Sequence, residues 1–167
     1  MSIPLTLPPR LLRPITPADH ADVLALNEAH VELLAPMDEA RLVQLQAWAD
    51  LAHVIEHEGS FAGFVVTFLP GSAYDSVNYR WFSSRYDDFC YLDRIVLAPP
   101  VRRLGLASRV YDEIEARARS HGRMALEVNL DPPNVPSLRF HDGRGYVEVG
   151  TQEALGHVVS LRVRELD

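Results

Sequence analysis

The segment PPVRRLGLASRVYDEIEARA, residues 99–118, places two arginines and a lone glycine directly in front of an amphipathic helix. The first turn of a helix leaves backbone N–H groups without partners, and the helix dipole adds partial positive charge there. Gly105 lets the backbone approach a bulky anion, while Arg102 and Arg103 add formal charge. The segment therefore predicts a phosphate-binding loop at the junction of a strand and a helix.

The composition limits the class of protein. A chain of 167 residues favours one domain, spanning residues 1–167, and a net charge of −7 argues against general nucleic-acid binding. No apolar run approaches the length of a membrane span, and the opening MSIPLTLPPR lacks the basic start and apolar core of a signal peptide. We therefore expect a cytoplasmic protein with neither a membrane nor a nucleic acid as partner.

The basic residues and the cysteine exclude several kinds of site. All sixteen basic residues are arginines, so a Walker A lysine and a Schiff-base lysine are excluded. The dinucleotide fingerprint G-x-G-x-x-G is absent too, because Gly105 is the only glycine of the loop. Cys90 is the single cysteine, which excludes an intrachain disulfide and a thiolate zinc cluster. We expect Cys90 to pack in the core, and we expect no metal.

Hydrophobic periodicity predicts the order strand, two helices, three strands, helix, strand, helix, two strands. The strands within residues 52–98 are expected to pair antiparallel, and the unit 89–129 to form a right-handed parallel crossover. Residues 70–88, PGSAYDSVNYRWFSSRYDD, indicate a long irregular loop rich in Tyr and Trp. This order is typical of a layered α+β or α/β domain with a mixed sheet.

Two spaced motifs resemble those of the GNAT superfamily of N-acetyltransferases. One is an [RQ]-x-x-G-x-[GA] loop after the fourth strand, and the other is an Asn-initiated helix that ends in Gly-aromatic after the fifth. The resemblance covers residues 89–150 closely, and the order of elements elsewhere is consistent with it. The matching residues are Arg102, Gly105 and Ala107 in the loop, and Asn134, Gly145 and Tyr146 in the helix.

The resemblance implies both a fold and an activity. The fold is a mixed, mostly antiparallel sheet of about seven strands, flanked by about four helices, with a splayed central parallel pair. The activity is acetyl transfer from acetyl-CoA to a primary amine, directly and in a ternary complex. Two other interpretations stay open. One is an acyl-CoA-binding or sensor module without catalysis, and the other is a nucleotide-binding protein that resembles the superfamily only locally.

The resemblance also assigns the cofactor contacts. The pantetheine arm would bind where the fourth strand splays from the fifth, and the pyrophosphate would lie on the N–H groups of the loop. Asn134 matches a position that contacts the cofactor arm, and it is also a candidate N-cap for the next helix. The implied residues are Ile95, Val96 and Leu97 for pantetheine, and Arg102, Arg103, Leu104, Gly105, Leu106, Ala107 and Ser108 for pyrophosphate.

Proton transfer needs a base for the ammonium and an acid for the departing thiolate. Glu127 matches a glutamate base of some members, and its alternative is an exposed strand carboxylate. Asp93 interrupts an apolar run and is either a second base or the partner of an arginine. His141 occupies the position of the superfamily's usual acid tyrosine, so it is either the acid or a surface residue. Tyr111 and Tyr146 are expected to pack in the core.

The acceptor site is the least determined part. Five aromatic residues of the irregular segment either form an aromatic wall of the acceptor pocket or pack within the loop or against a second copy in a homodimer: Tyr74, Tyr79, Trp81, Phe82 and Tyr86. Asp75, Asp87 and Asp88 of the same segment are candidates to attract the amine. Glu28, in the first helical region, is a further candidate for contact with the amine. The sequence leaves open a polyamine, an amino acid, an aminoglycoside-like drug and a protein N-terminus.

Overall fold

The computed structural model describes residues 10–167, so nearly all of the opening segment on which the signal-peptide expectation rests lies outside the described residues. Seven strands form one sheet: β1 (Leu12–Pro14), β2 (Leu51–His57), β3 (Ser60–Phe68), β4 (Cys90–Leu97), β5 (Arg123–Asp131), β6 (Val147–Ala154) and β7 (His157–Glu165). Five α-helices flank it: α1 (His20–Glu28), α2 (Glu39–Trp48), α3 (Val77–Arg85), α4 (Leu106–Ala118) and α5 (Val135–Gly143). Within residues 10–167, no helix combines the length and apolar character that a membrane crossing needs.

The sheet order is β1-β2-β3-β4-β5-β7-β6, and every neighbouring pair is antiparallel except β4 and β5. The parallel pair shares only two register positions, Cys90 with Met124 and Tyr91 with Ala125. Beyond them β4 continues to Leu97 and β5 to Asp131 without pairing to each other. The mixed sheet and its splayed parallel pair confirm the expected fold class.

A bulge in β4 changes the side-chain alternation that the sequence suggests. Val66 of β3 pairs with Arg94 and the next residue pairs with Leu92, so Asp93 is the extra residue. Simple alternation would place Asp93 on the same face as Ile95 and Leu97. That expectation is wrong, because Asp93 hydrogen-bonds the hydroxyl of Tyr74 from the core layer on the opposite face.

Two apolar layers cover the two faces of the sheet. One layer lies beneath α1, α2 and α3 and contains buried aromatic side chains such as Phe64, Phe82 and Tyr91. The other lies beneath α4 and α5, and α4 contributes Leu106, Val110, Ile114 and Ala118 to it at four-residue spacing. The opening between β4 and β5 therefore lies between two packed layers and connects them.

The segment 70–88, predicted to be irregular, contains α3. The Ser76 side chain caps this helix by accepting a hydrogen bond from the Tyr79 backbone N–H at 3.3 Å. Tyr79 and Phe82 lie on its buried face at three-residue spacing. Residues 10–167 consequently contain five α-helices, where the resemblance implied about four.

The contact between β3 and β4 depends on a residue without a side chain. A Cβ built on Gly63 would lie 2.1 Å from the Val96 carbonyl oxygen, a backbone atom. Gly63→Ala should therefore push β4 away and lower the free energy of unfolding by about 1–3 kcal/mol. Gly143→Ala is the matched control, since a Cβ there meets nothing within 4 Å. Urea unfolding of both variants checks this, and equal stabilities would contradict the close approach.

Candidate active site

A cavity of about 690 Å³ lies where β4 and β5 separate, and residues from both faces of the sheet line it. Asp93 and Glu127 line it from the face that α1, α2 and α3 cover, whereas Tyr111 and His141 line it from the face that α4 and α5 cover. Residues 30–36 between α1 and α2 and the β6–β7 hairpin also border it. A single cavity thus brings the three predicted catalytic side chains together from opposite sides of the sheet.

Glu127 has a raised pKa and a hydrogen-bond partner. Burial, and next to it the charge of Asp93, raise its pKa from an ordinary value of 4.5 to about 8. The Tyr91 hydroxyl opposes this shift by donating a hydrogen bond to Glu127 Oε2 at 2.6 Å. A carboxyl group that titrates near pH 8 suits a general base acting on an ammonium group.

Asp93 is held in a network rather than standing free. Arg94 Nε donates to Asp93 Oδ2 at 2.6 Å, and the Tyr74 hydroxyl donates to Oδ1. Arg94 in turn donates to Asn27 Oδ1 at 3.0 Å, and both members of the ion pair are buried. The geometry therefore gives Asp93 the arginine partner that the sequence left as an alternative, and its charge acts on Glu127.

His141 has both ring nitrogens in hydrogen bonds. Nδ1 lies 2.7 Å from the Ser137 carbonyl oxygen, which can only accept, so Nδ1 carries the proton. Nε2 lies 2.7 Å from the Tyr111 hydroxyl and accepts from it. Burial lowers the pKa of His141, which keeps this ring neutral. The side chain is buried, and Tyr111 stands beside it in the cavity wall.

Tyr111 is the residue that sequence reasoning assigned only to packing. It lies on the apolar face of α4, but its hydroxyl borders the cavity and is fixed by His141. Burial raises the pKa of Tyr111 well above its usual range, so the hydroxyl keeps its proton and remains a donor. Thirty residues separate the two partners, and no local sequence pattern marks their contact.

The predicted phosphate loop forms the start of α4. Gly105 is the N-cap with φ of 76°, and the Cβ of another residue there would meet nothing within 4 Å. Arg109 N donates to the Gly105 carbonyl at 3.2 Å, which is the first hydrogen bond of the helix. The N–H groups of residues 106–108 come before it, in the turn whose N–H groups have no helical partner. Arg102 Nε donates to the Leu97 carbonyl at 3.4 Å and a terminal nitrogen contacts His30. The first turn of α4 therefore offers N–H groups that have no partner within the helix.

The predicted pantetheine residues lie along the diverging end of β4. Ile95 and Val96 line the cavity, and Leu97 follows them at the end of the strand. Asn134 lines the cavity as well, and its side chain caps α5 by accepting from Ser137 N at 3.3 Å. Asn134 therefore combines the predicted N-cap role with a position in the cavity wall.

Of the predicted acceptor residues, Tyr74 and Asp75 line this cavity and the others do not. The Tyr79 hydroxyl donates to the Leu69 carbonyl at 2.6 Å inside the core, and Trp81 covers Gly150. Tyr86 stacks beneath the Arg123 guanidinium at 4.4 Å. Glu28, at the end of α1, is likewise outside the lining. The aromatic residue of this region that lines the cavity is Tyr74, which comes before α3.

Residues 22–146 match the Acetyltransferase (GNAT) family, and the chain belongs to that family. It is an enzyme of the acetyltransferase type.

Relatives agree with this assignment. The chain is 25% identical over 147 residues to a phosphinothricin N-acetyltransferase of Streptomyces viridochromogenes, which covers 87% of this chain and 79% of that protein. Its fold is similar to Ard1 from Thermoplasma volcanium, with a TM-score of 0.71, 19% identity, and coverage of 93% and 96% of the two chains. It is also similar to Arabidopsis thaliana Naa50 in complex with the bisubstrate analogue CoA-Ac-MVNAL, with a TM-score of 0.69, 12% identity, and coverage of 93% and 97%.

The raised pKa of Glu127 predicts how stability depends on pH. Between about pH 5 and pH 8 the folded protein keeps a proton that the unfolded chain has released, so raising the pH lowers the free energy of unfolding. The variant Glu127→Gln should lack this contribution, which we expect to be about 2–4 kcal/mol across that window. Urea unfolding at several pH values measures it. Parallel pH profiles for wild type and variant would show that the pKa of Glu127 is not raised.

Proposed function

We propose that this protein is an N-acetyltransferase that moves the acetyl group of acetyl-CoA to a primary amine by direct transfer in a ternary complex. The observation that carries the proposal is the cavity between β4 and β5, with Glu127 on one face of the sheet and Tyr111 and His141 on the other. Donor and acceptor can then approach the same point from opposite faces, each next to the group that handles its proton.

Backbone groups supply most of the proposed cofactor contacts. The N–H groups at the start of α4 donate hydrogen bonds to the pyrophosphate, and Arg102 and Arg103 add positive charge. The loop that binds it runs from Arg102 to Ser108. The strand end from Ile95 to Leu97 has no β5 partner, so backbone groups on that edge can hydrogen-bond the pantetheine amides, and the Leu97 carbonyl would exchange its 3.4 Å contact with Arg102 Nε. Membership of the family and the CoA-containing analogue held by the Naa50 structure support this choice of donor.

The proposed chemistry needs no nucleophile from the protein. Glu127 takes a proton from the acceptor ammonium, directly or through water, and the amine nitrogen then bonds to the thioester carbonyl carbon. As the carbon–sulfur bond breaks, the Tyr111 hydroxyl turns to the departing sulfur and donates its proton, and His141 positions the ring. The second proton of the former ammonium leaves the nitrogen through water and restores the Tyr111 hydroxyl, while Glu127 releases its proton to solvent. Cys90 cannot serve as an acyl carrier, because it lies outside the cavity and burial raises the pKa of its thiol to about 12.

Acetyl-CoA should stabilise the wild type against heat, by about 2.7 kcal/mol at a hundred times its dissociation constant. Gly105→Glu should abolish this shift, because a carboxylate at the loop repels and blocks the pyrophosphate. Gly59→Glu is the matched control, since both glycines have φ of 76° and open space at the Cβ position. Thermal unfolding with and without acetyl-CoA measures both. An undiminished shift in Gly105→Glu would remove the loop from the cofactor site.

Turnover should depend on both faces of the cavity. The rate of CoA release during acetylation of an amine should rise with pH in the wild type. Its apparent pKa should lie near 8, because only the deprotonated form of Glu127 accepts a proton. Glu127→Gln should lose about 100-fold or more in kcat and flatten this profile, with the acetyl-CoA thermal shift kept. Tyr111→Phe should lower kcat by about 10-fold or more at an unchanged KM for acetyl-CoA. Full turnover in both variants would assign the acid and base to other groups, whereas binding of acetyl-CoA without turnover of any amine in the wild type would favour a binding module.

A further inference from the structure

Apolar side chains stand at the mouth of the cavity, on the side of the sheet that carries Glu127. Leu33 is 52% exposed, Val77 is 52% exposed and Leu155 is 79% exposed, and all three line the cavity. They come from three separate places, the α1–α2 segment, the first turn of α3 and the β6–β7 hairpin. Water-exposed apolar groups that converge on a cavity mark a surface that a ligand covers.

Leu155 is the most informative of the three. It forms, with Gly156, the two-residue turn between β6 and β7, and both residues have positive φ, 51° and 78°. Such turns favour Asn, Asp or Gly at these positions, and a leucine there is strained as well as exposed. Neither the turn nor the core therefore accounts for this side chain.

The β2–β3 hairpin provides an internal comparison. It has the same two-residue turn, with φ of 52° at Glu58 and 76° at Gly59, and a charged residue stands where Leu155 stands in the other hairpin. Glu58 is exposed and does not line the cavity. With the same turn geometry, the hairpin that lies away from the cavity has a polar residue at this position, and the hairpin that borders the cavity has an apolar one.

The charges that line the cavity favour a cation. Its two arginines are both neutralised, Arg41 by Asp75 with contacts of 2.6 and 3.1 Å, and Arg94 by Asp93 at 2.6 Å. Glu127 is the third lining carboxyl group, and its hydrogen-bond partner is the hydroxyl of Tyr91 rather than an arginine, so its ionised form, the form that acts as base, adds a negative charge that no lining arginine balances. An anionic group on the acceptor would have to displace Asp75 or Asp93 to reach a guanidinium.

Three histidines line the cavity: His141 and His30, whose rings are hydrogen-bonded, and His157, whose Nδ1 is buried without a hydrogen-bond partner among the described residues. His141 is held neutral, as its contacts with Ser137 and Tyr111 require. His30 Nδ1 lies 2.9 Å from the Leu26 carbonyl oxygen, and its Nε2 meets the guanidinium of Arg102, an arrangement that a neutral ring satisfies.

From these observations we infer the class of acceptor: a cationic primary amine whose carbon skeleton beside the amine is apolar, and which carries no carboxylate, phosphinate or phosphate. The inference rests on the proposed function, since it concerns the acceptor half of the same cavity. Glu127 receives the ammonium, and Leu33, Val77 and Leu155 cover the apolar part. Phosphinothricin and acidic amino acids are disfavoured, although a relative of this chain is a phosphinothricin N-acetyltransferase.

A panel of amines tests the class by measuring CoA release from acetyl-CoA. The apolar members are 2-phenylethylamine and a pentapeptide amide beginning with Leu-Leu, which distinguish a free amine from a chain N-terminus. The anionic members are phosphinothricin and glutamate. We expect kcat/KM for at least one apolar member to exceed that for both anionic members by about tenfold or more.

A variant links the preference to the rim of the cavity. Leu155→Asn keeps a residue that tolerates positive φ, so the hairpin should form, and removes the apolar group. It should lower kcat/KM for the preferred apolar amine by about tenfold, with less than about a twofold change for ethylamine, which is too short to reach the rim. Leu33→Asn should act in the same direction. Val147→Thr is the control, because Val147 is 58% exposed and lies outside the cavity lining.

The outcomes separate this inference from the proposed function. Faster acetylation of phosphinothricin or glutamate overturns the acceptor class and leaves the acetyltransferase assignment in place. The acceptor class is also overturned, with the acetyltransferase assignment left in place, by either of two results. One is that acetyl-CoA binds but no apolar amine is acetylated, and the other is that Leu155→Asn lowers turnover of ethylamine and of the apolar amine equally. Failure of acetyl-CoA to bind overturns the proposed function itself.

Discussion

The separation of β4 from β5 is the constraint on which the rest of the molecule depends. Two register pairs hold the parallel strands together at one end, and beyond them each strand runs on without the other. Backbone N–H and C=O groups along such an opening need partners, and a buried opening without them costs free energy. The opening is tolerable because it is a cavity, and the proposed cofactor supplies polar groups at that place.

Flanking strands keep the two halves of the sheet in position. β3 pairs with β4 along the length of both strands, and β7 does the same for β5. The close approach at Gly63 fixes β4 beside β3, so β4 cannot move over to close the gap. On the β5 side, Glu127 pairs in register with Leu161 and projects toward Tyr91. The site is consequently built on sheet strands, which hold side chains more rigidly than loops do.

The charged and polar groups around Glu127 lie on one face of the sheet, and those around Tyr111 lie on the other. On one face, burial and the charge of Asp93 raise the pKa of Glu127, and the Arg94 guanidinium donates a hydrogen bond to Asp93. On the other face, His141 is neutral and presents a hydrogen-bond acceptor to Tyr111. A group that takes a proton near neutral pH and a group that donates one are therefore separated by the sheet and joined by a single cavity.

The sequence predicts those features that depend on short stretches of chain. The phosphate loop, the N-cap at Asn134 and the strand–helix–strand unit are local, so spacing and residue type are enough to find them. The bulge at Asp93 depends on the register with β3, and the inward orientation of Tyr79 depends on packing against several strands. The contact of Tyr111 with His141 joins two helices across thirty residues. These features arise from tertiary structure, which a single sequence does not display.

The central claim is that donor and acceptor meet in one cavity and react without an acyl-enzyme. Initial velocities measured while both acetyl-CoA and the best acetylated amine are varied test it most directly. Direct transfer in a ternary complex predicts double-reciprocal lines that intersect. Parallel lines would indicate that CoA leaves before the amine binds, with the acetyl group held on the protein, and would contradict the account.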